Sequence, residues 1–263
     1  MKTKNVLELC LSPDAGGLEL YMVKLSHFLA TKTNTVSVIN ESGKLEKYYE
    51  NKSYKYEKIK RHTTLLSFLN ARKLAKIIDE NKIELVHFHW TKDLPVCVLA
   101  KYFSKQKPKI VQTRHMNMTR FKDDFYHKFL YKNIDGMIAV TDKVKEQIEK
   151  FIPKEIRPKI KRIYIGSQKA QKISQEKKEA LKEKYALKDS FVVGMVGRIE
   201  EAKGQYLLIE ALDELISGGL DVKALIVGHA MDEAYLKLLK SNVNKLNLES
   251  KVAFTGLQQK LKS

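Results

Sequence analysis

Short apolar runs alternate along this chain with stretches whose apolar residues recur every three or four positions. Val6–Leu11 reads as a strand, and Leu18–Ala30 as a helix with Leu18, Met22, Leu25 and Leu29 on one face. Thr35–Ile39 is a second strand, and Lys44–Arg61 reads as a loop with an edge strand. Thr64–Asp79 is an amphipathic helix, Leu85–His89 a strand and Pro95–Phe103 a short apolar helix. Ile110–Thr113 is a strand, Phe121–Tyr131 a helix rich in aromatics, and Met137–Val140 a strand. The helix Lys143–Phe151 follows, with Thr141 placed to cap its N-terminus. Repeated β–α alternation predicts an α/β fold with parallel sheets covered on both faces.

The rhythm breaks at Pro153–Ser174, where Pro153 and Pro158 oppose a continuous helix and Gly166 permits a turn. An interdomain connection is expected there, dividing the chain into residues 1–165 and 166–263. Alternation then resumes. Strand Phe191–Gly197 precedes helix Gly204–Ile216, whose apolar face is Leu208, Ala211, Leu212 and Leu215. Strand Lys223–Val227, helix Glu233–Leu246 and strand Val252–Thr255 follow.

Composition narrows the class. Hydrophobic residues make up 43% of 263, enough for a sizeable core. The longest apolar runs are strand-length, well short of the ~20 residues of a membrane span. The N-terminal run is broken by Glu8, so it is a first strand rather than a signal peptide. Cys10 and Cys97 are the only cysteines, which argues against a disulfide framework or a zinc cluster and fits a reducing cytoplasm.

Charge is unevenly spread. The formal net charge is +18; residues 1–165 carry 33 Lys/Arg against 18 Asp/Glu, and residues 166–263 carry 16 against 13. Such asymmetry points to an anionic partner for the first half, with a merely solvated lysine-rich surface as the plain alternative. Lysine outnumbers arginine, which suits attraction to an anionic membrane better than base reading. No nucleic-acid motif accompanies the charge, so nucleic acid is not expected as a partner.

Candidate chemistry gathers where strands end. In SPDAGGLE, Ser12 to Glu19, Gly16 and Gly17 stand just before a helix. There the backbone can approach a phosphate and the helix N-terminus can receive it. The spacing is not G-x-G-x-x-G, which removes the main support for a nicotinamide site. Arg198 and Lys203 follow the strand that ends at Gly197. They can clamp a diphosphate, or pair with Glu200 and Glu201. His115 follows Ile110–Thr113, at the same kind of edge, where it can donate a hydrogen bond to a hydroxyl or polarise a leaving group. His87 and His89 alternate on one strand, with no third metal ligand at a sensible spacing. Trp90 beside them can stack on a sugar ring or close the sheet edge. Gly228 and Gly256 end two later strands and can shape a nucleotide pocket, or simply terminate those strands.

In order, GGLE at Gly16–Glu19, QTRH ending at His115, GRIEEAKG at Gly197–Gly204, VG at Val227-Gly228 and FTG at Phe254–Gly256 resemble the retaining glycosyltransferases of the GT4 family (group 1). The resemblance implies the GT-B fold: two Rossmann-like domains, an acceptor-side one over 1–165 and a nucleotide-sugar-binding one over 166–263. It implies Gly16, Gly17, Arg198 and Lys203 on the donor diphosphate, and His115 as the active-site histidine. Gly228 and Gly256 would lie by the nucleotide. No cofactor or obligatory metal is implied.

By family analogy the acceptor is a surface glycan or lipopolysaccharide-type molecule, and the location cytoplasmic, peripheral to the inner face of the plasma membrane. In the family a Glu-x7-Glu segment beyond the F-x-G strand holds the donor's sugar and ribose. Here seven residues follow Gly256, so the resemblance implies an incomplete second domain whose tail, QQKLKS, looks like the product of a frameshift or a truncated gene. The alternative function is an inactive remnant that binds a membrane or a partner.

Overall fold

The computed structural model describes residues 4–50, 54–61, 67–166 and 172–256. The expected start of the second helix at Thr64, part of the connection, and the tail beyond Gly256 lie outside the described residues. The chain forms two compact units, Met1–Ser167 and Gln168–Ser263.

In the first unit seven parallel strands are ordered β3-β2-β1-β4-β5-β6-β7. They are β1 Asn5–Cys10, β2 Asn34–Asn40, β3 Tyr56–Ile59, β4 Leu85–Phe88, β5 Lys109–Arg114, β6 Gly136–Ala139 and β7 Lys159–Arg162. The helices are α1 Gly17–Ala30, α2 Ser67–Glu80, α3 Leu94–Phe103, α4 Phe125–Lys132 and α5 Asp142–Phe151. Strand alternation sends Leu7, Leu9 and Leu11 into one core with Leu74, Ile78, Phe88 and Cys97. The opposite face places Cys10 in a second cluster with Met22, Val23, Ile39 and Tyr49. Both thiols are free, and burial pushes both well above an ordinary thiol pKa.

Chain order reverses at β1 and β4, since β2 follows on one side and β5 on the other. In open α/β sheets, ligands bind in the crevice at the carboxyl ends of such strands.

Three expectations need correction. Lys159–Arg162 is not part of a connection; it pairs with β6 as an edge strand. Its Lys159, Lys161 and Arg162 are exposed charges of the kind that discourage further strand pairing. Helix α4 begins at Phe125, not Phe121, because the Asp124 side chain accepts from His127 N–H and fixes the start. Helix α6, Gln175–Lys184, was not expected. It has no buried residue, so no apolar period announced it; its signals are the Ser174 cap and residues of high helix propensity.

The second unit holds three parallel strands ordered β10-β9-β8: β8 Phe191–Val196, β9 Val222–Val227 and β10 Val252–Phe254. Helices α7 Gln205–Ser217 and α8 Glu233–Lys245 pack on them. The buried face of α7 is rotated from the expected one: Ile209 and Leu212 are buried, while Leu215 is 40% exposed.

Candidate active site

A carboxylate inside an apolar strand is costly unless it is hydrogen-bonded. Glu8 is fully buried in the middle of β1, directly opposite His87 of β4 in the parallel register. His87 and His89 share a sheet face because they are two residues apart. Glu8 Oε1 accepts from His87 Nδ1 at 3.0 Å, and Oε2 accepts from His89 Nε2 at 2.7 Å. Thr113, on the same face of β5, lies 2.7 Å from His87 Nε2 through its hydroxyl. His89 Nδ1 lies 3.2 Å from His115 Nε2. Tyr21 of α1 meets both the His89 and His115 rings edge-on.

These contacts assign the protons. An ionised carboxylate only accepts, so His87 carries its proton on Nδ1 and His89 on Nε2. His89 Nδ1 holds a lone pair, so His115 must donate to it from Nε2. A neutral His115 then has only a lone pair at Nδ1. That lone pair is an acceptor, whereas the sequence points to a donor or to a group that polarises a leaving group.

The electrostatics agree. Burial alone would raise the Glu8 pKa; the attraction of His87 and hydrogen bonds from both imidazoles outweigh it and hold the carboxyl well below the usual range. Burial, then His87, lowers His89 to about 4 against the pull of Glu8. Burial, then His89 and His87, lowers His115 to about 3. Both rings are neutral near pH 7. Glu8 is the third metal-capable residue that the spacing of His87 and His89 did not reveal. An ion there would have to displace the bonds that already satisfy the carboxylate.

Two further residues hold the edge together. Arg114, at the end of β5, is buried and bonds only to neutral oxygens. These are Thr91 Oγ1 at 2.6 Å and the carbonyls of Met116 and Asn117, each at 2.8 Å. That fork fixes the loop carrying His115. Asp93 Oδ2 accepts from Leu11 N–H at 2.9 Å, tying the turn after β4 to the end of β1. Burial raises Asp93 to about 7, opposed by that hydrogen bond and by Arg61. Trp90 is not bare: the Arg61 guanidinium lies 4.1 Å from its ring centre and Lys92 5.4 Å.

At the first β–α turn Glu19 folds back on Gly16 N–H at 2.9 Å and on the Ser12 hydroxyl at 2.6 Å. A Cβ on Gly16 would sit 3.2 Å from Glu19 Oε2, whereas one on Gly17 would meet nothing within 4 Å. Packing therefore constrains Gly16 and leaves Gly17 unexplained by the protein itself.

In the second unit Arg198, Lys203, Gly228 and Gly256 all follow the C-terminal ends of the three strands. Arg198 pairs with Glu200 at 3.0 Å, the pairing weighed from sequence against a phosphate clamp; Lys203 is exposed. Gly204 takes φ 73° between a short 3-10 turn and α7, a conformation that favours glycine. Gln205 Nε2 donates to the Arg198 carbonyl at 2.8 Å and fixes the loop. Gly228 N–H donates to the Gly256 carbonyl at 3.1 Å, and a Cβ on Gly228 would overlap the Gly197 carbonyl oxygen. Glycine at 228 is thus required by close backbone approach, beyond ending a strand.

Comparison with known proteins follows the same division. Residues 8–142 match the family model described as glycosyl transferase 4-like, and residues 176–263 match that of glycosyl transferases group 1. An uncharacterized glycosyltransferase of Methanocaldococcus jannaschii is 31% identical over 202 residues, covering 71% of this chain and 48% of that protein. The capsular polysaccharide biosynthesis glycosyltransferase CapM of Staphylococcus aureus is 27% identical over 232 residues, covering 82% and 61%. The chain thus spans about half to three-fifths of these relatives. Anabaena HepE, crystallised with UDP and glucose, superposes with a TM-score of 0.79 at 22% identity, covering 97% of this chain and 70% of HepE, a likeness of fold.

Proposed function

Because the chain belongs to the glycosyl transferase 4-like family, we propose that it transfers a hexose from a nucleotide diphosphate sugar to a surface-glycan or lipopolysaccharide-type acceptor, with retention of configuration. The observation that carries this reading is the chain from buried Glu8 and His89 to half-buried His115 at the strand-order reversal. It sets a neutral imidazole at the edge where such sheets bind ligands. His115 Nδ1 would accept from a hydroxyl of the donor sugar and orient it. Gly17 would let the donor diphosphate approach the start of α1, and Arg198 and Lys203 would neutralise that diphosphate as it leaves. The nucleotide would lie against Gly228 and Gly256. No step in this scheme calls on a metal.

The fold of HepE, a protein crystallised with UDP and glucose, supports a nucleotide-sugar donor. The S. aureus relative's role in capsular polysaccharide supports a glycan acceptor. A location on the inner face of the membrane is supported by the basic first unit and by exposed apolar groups around α4. Phe125 is 88% and Phe121 56% exposed, beside Arg120, Lys122 and Lys128. No helix among the described residues is long and apolar enough to cross a membrane.

The test is donor hydrolysis and transfer with UDP-, GDP- and ADP-linked hexoses. One of these should be turned over, with its anomeric configuration kept in the product. If none is consumed and none raises the melting temperature, the reading fails.

A further inference from the structure

The first unit contains a cavity of about 250 Å³, lined in part by Thr91, the residue that accepts from Arg114. Three segments that follow strand ends wall it, with Ser67 of α2: Arg61 after β3, Thr91 and Lys92 after β4, and Lys122 to Tyr131 along α4. It is below the ~300–1,000 Å³ that encloses a drug-sized ligand, and suits a head group.

The charge of its wall is one-sided. Arg61, Lys92 and Lys122 all line it, and among the described residues no carboxylate does. Trp90 holds Arg61 and Lys92 in place through its ring face. Asp124, beside the lining residues Tyr126 and His127 in sequence, is engaged by His127 Nδ1 at 2.5 Å and by His127 N–H. Asp93 accepts from Leu11 N–H. Burial, then Arg114 and Arg120, pushes the Lys122 pKa down, with Asp124 opposing, so positive charge is crowded here. Hydroxyl groups and the apolar Leu94, Pro95 and Leu130 make up most of the remaining wall. Thr91 Oγ1 already accepts from Arg114 and Gln112, which leaves its own proton to donate. Tyr126 and Tyr131 line the same cavity.

Converging cations with hydroxyl donors and no lining carboxylate make a receptor for a compact, multiply charged oxyanion. We propose that this cavity binds the phosphoryl group of a phosphorylated acceptor, so that the acceptor is a sugar or lipid phosphate ester rather than a neutral glycan. The proposal rests on the transferase reading for the word acceptor, but not for the binding itself. A phosphate on a lipid carrier and one on a soluble sugar present the same chemistry.

The experiment measures binding by calorimetry on the full chain, without any donor. The probes are farnesyl diphosphate, glucose 1-phosphate, farnesol and glucose. The variants are Lys122→Gln and Arg61→Gln, with folding checked by circular dichroism and thermal melting. Either phosphorylated probe should bind while farnesol and glucose do not. Each variant should weaken that binding roughly tenfold or more, as expected for losing a charged hydrogen bond. Preference for farnesyl diphosphate identifies a lipid carrier, and preference for glucose 1-phosphate a soluble ester. Equal binding of farnesol and farnesyl diphosphate, no binding of either phosphorylated probe, or unchanged affinity in two folded variants overturns the proposal. UDP titrated into Lys122→Gln should bind as it does to the unaltered chain. Loss of UDP binding in both proteins would indict the donor reading and leave the cavity result standing.

Discussion

Glu8 Oε2 accepts a hydrogen bond from His89 Nε2 at 2.7 Å, between fully buried side chains on β1 and just past the end of β4. That one bond decides which nitrogen of His115 carries a proton. Glu8→Gln tests it. The amide must present N–H to one imidazole, which forces that ring into its other tautomer. If the amide faces His89, the reversal passes to His115. Loss of the charged hydrogen bonds should cost about 1.5–3 kcal/mol of stability. Urea unfolding should show the loss, and nitrogen NMR of the imidazoles should show the changed tautomer. An unaltered midpoint and spectrum would mean the carboxylate does not hold the rings.

Stability should fall on acidification before ordinary carboxylates titrate. His89 and His115 have folded-state pKa values of about 4 and about 3, below the ~6.5 of an unfolded histidine. Between those limits the unfolded chain binds more protons, so stability rises with pH and is lost as pH drops below ~6.5. Each histidine contributes up to about 1.4 kcal/mol per pH unit in that window. Glu8, with its lowered pKa, adds a loss of the same sign below about pH 4. His115→Asn should flatten the slope of unfolding free energy by about one proton between pH 4 and 6. An unchanged slope would show that His115 takes up its proton in the folded state too.

The adjacent glycines of the first turn should separate folding from binding. Gly17→Ala adds a methyl group to open space at the first residue of α1 and should leave stability unchanged or raise it by about 0.4–1 kcal/mol. Under the proposed donor site it should nevertheless weaken binding of the donor nucleotide, because the same methyl group would meet the diphosphate. Gly16→Ala, pressed against Glu19, should lower the melting temperature instead. Full donor affinity in Gly17→Ala would remove this turn from the site.

Arg198→Ala probes the second unit. Its bridge to Glu200 is half-exposed, so the change should alter stability by less than about 1 kcal/mol. Affinity for the nucleotide diphosphate should fall by roughly tenfold or more, the value of a charged hydrogen bond to phosphate. Equal affinity in the variant would assign Arg198 to Glu200 alone.

The layout of strands and helices was legible because both faces of a parallel sheet must be covered, which writes apolar runs into the sequence. Thr141 was legible as a cap and indeed accepts from Val144 N–H. The edge strand at Lys159–Arg162 was hidden because exposed edges carry charge in place of an apolar pattern. His115 was found by its place after a strand, but the direction of its hydrogen bond was not, since that depends on Glu8, 107 positions earlier. Glu8 did leave a signal as the one acid within NVLELC, a local violation of the core pattern of the sort that functional sites produce. In the sequence its visible effect is to break a signal-peptide-like run. Arg114, beside His115, leaves no such mark, because sequence alone cannot show a guanidinium turned inward to carbonyls.

Cys10 and Cys97 provide two internal clocks. Each thiol is shut in a different cluster of the first unit, Cys10 with Met22 and Tyr49, Cys97 with Leu74 and Phe88. Raised pKa values keep both in the unreactive protonated form. A thiol reagent therefore reacts with each only when its own side of the sheet opens. Mass spectrometry of the labelled peptides would time the lifting of α1 separately from that of α2 and α3, and would be blind to the second unit, where no cysteine exists.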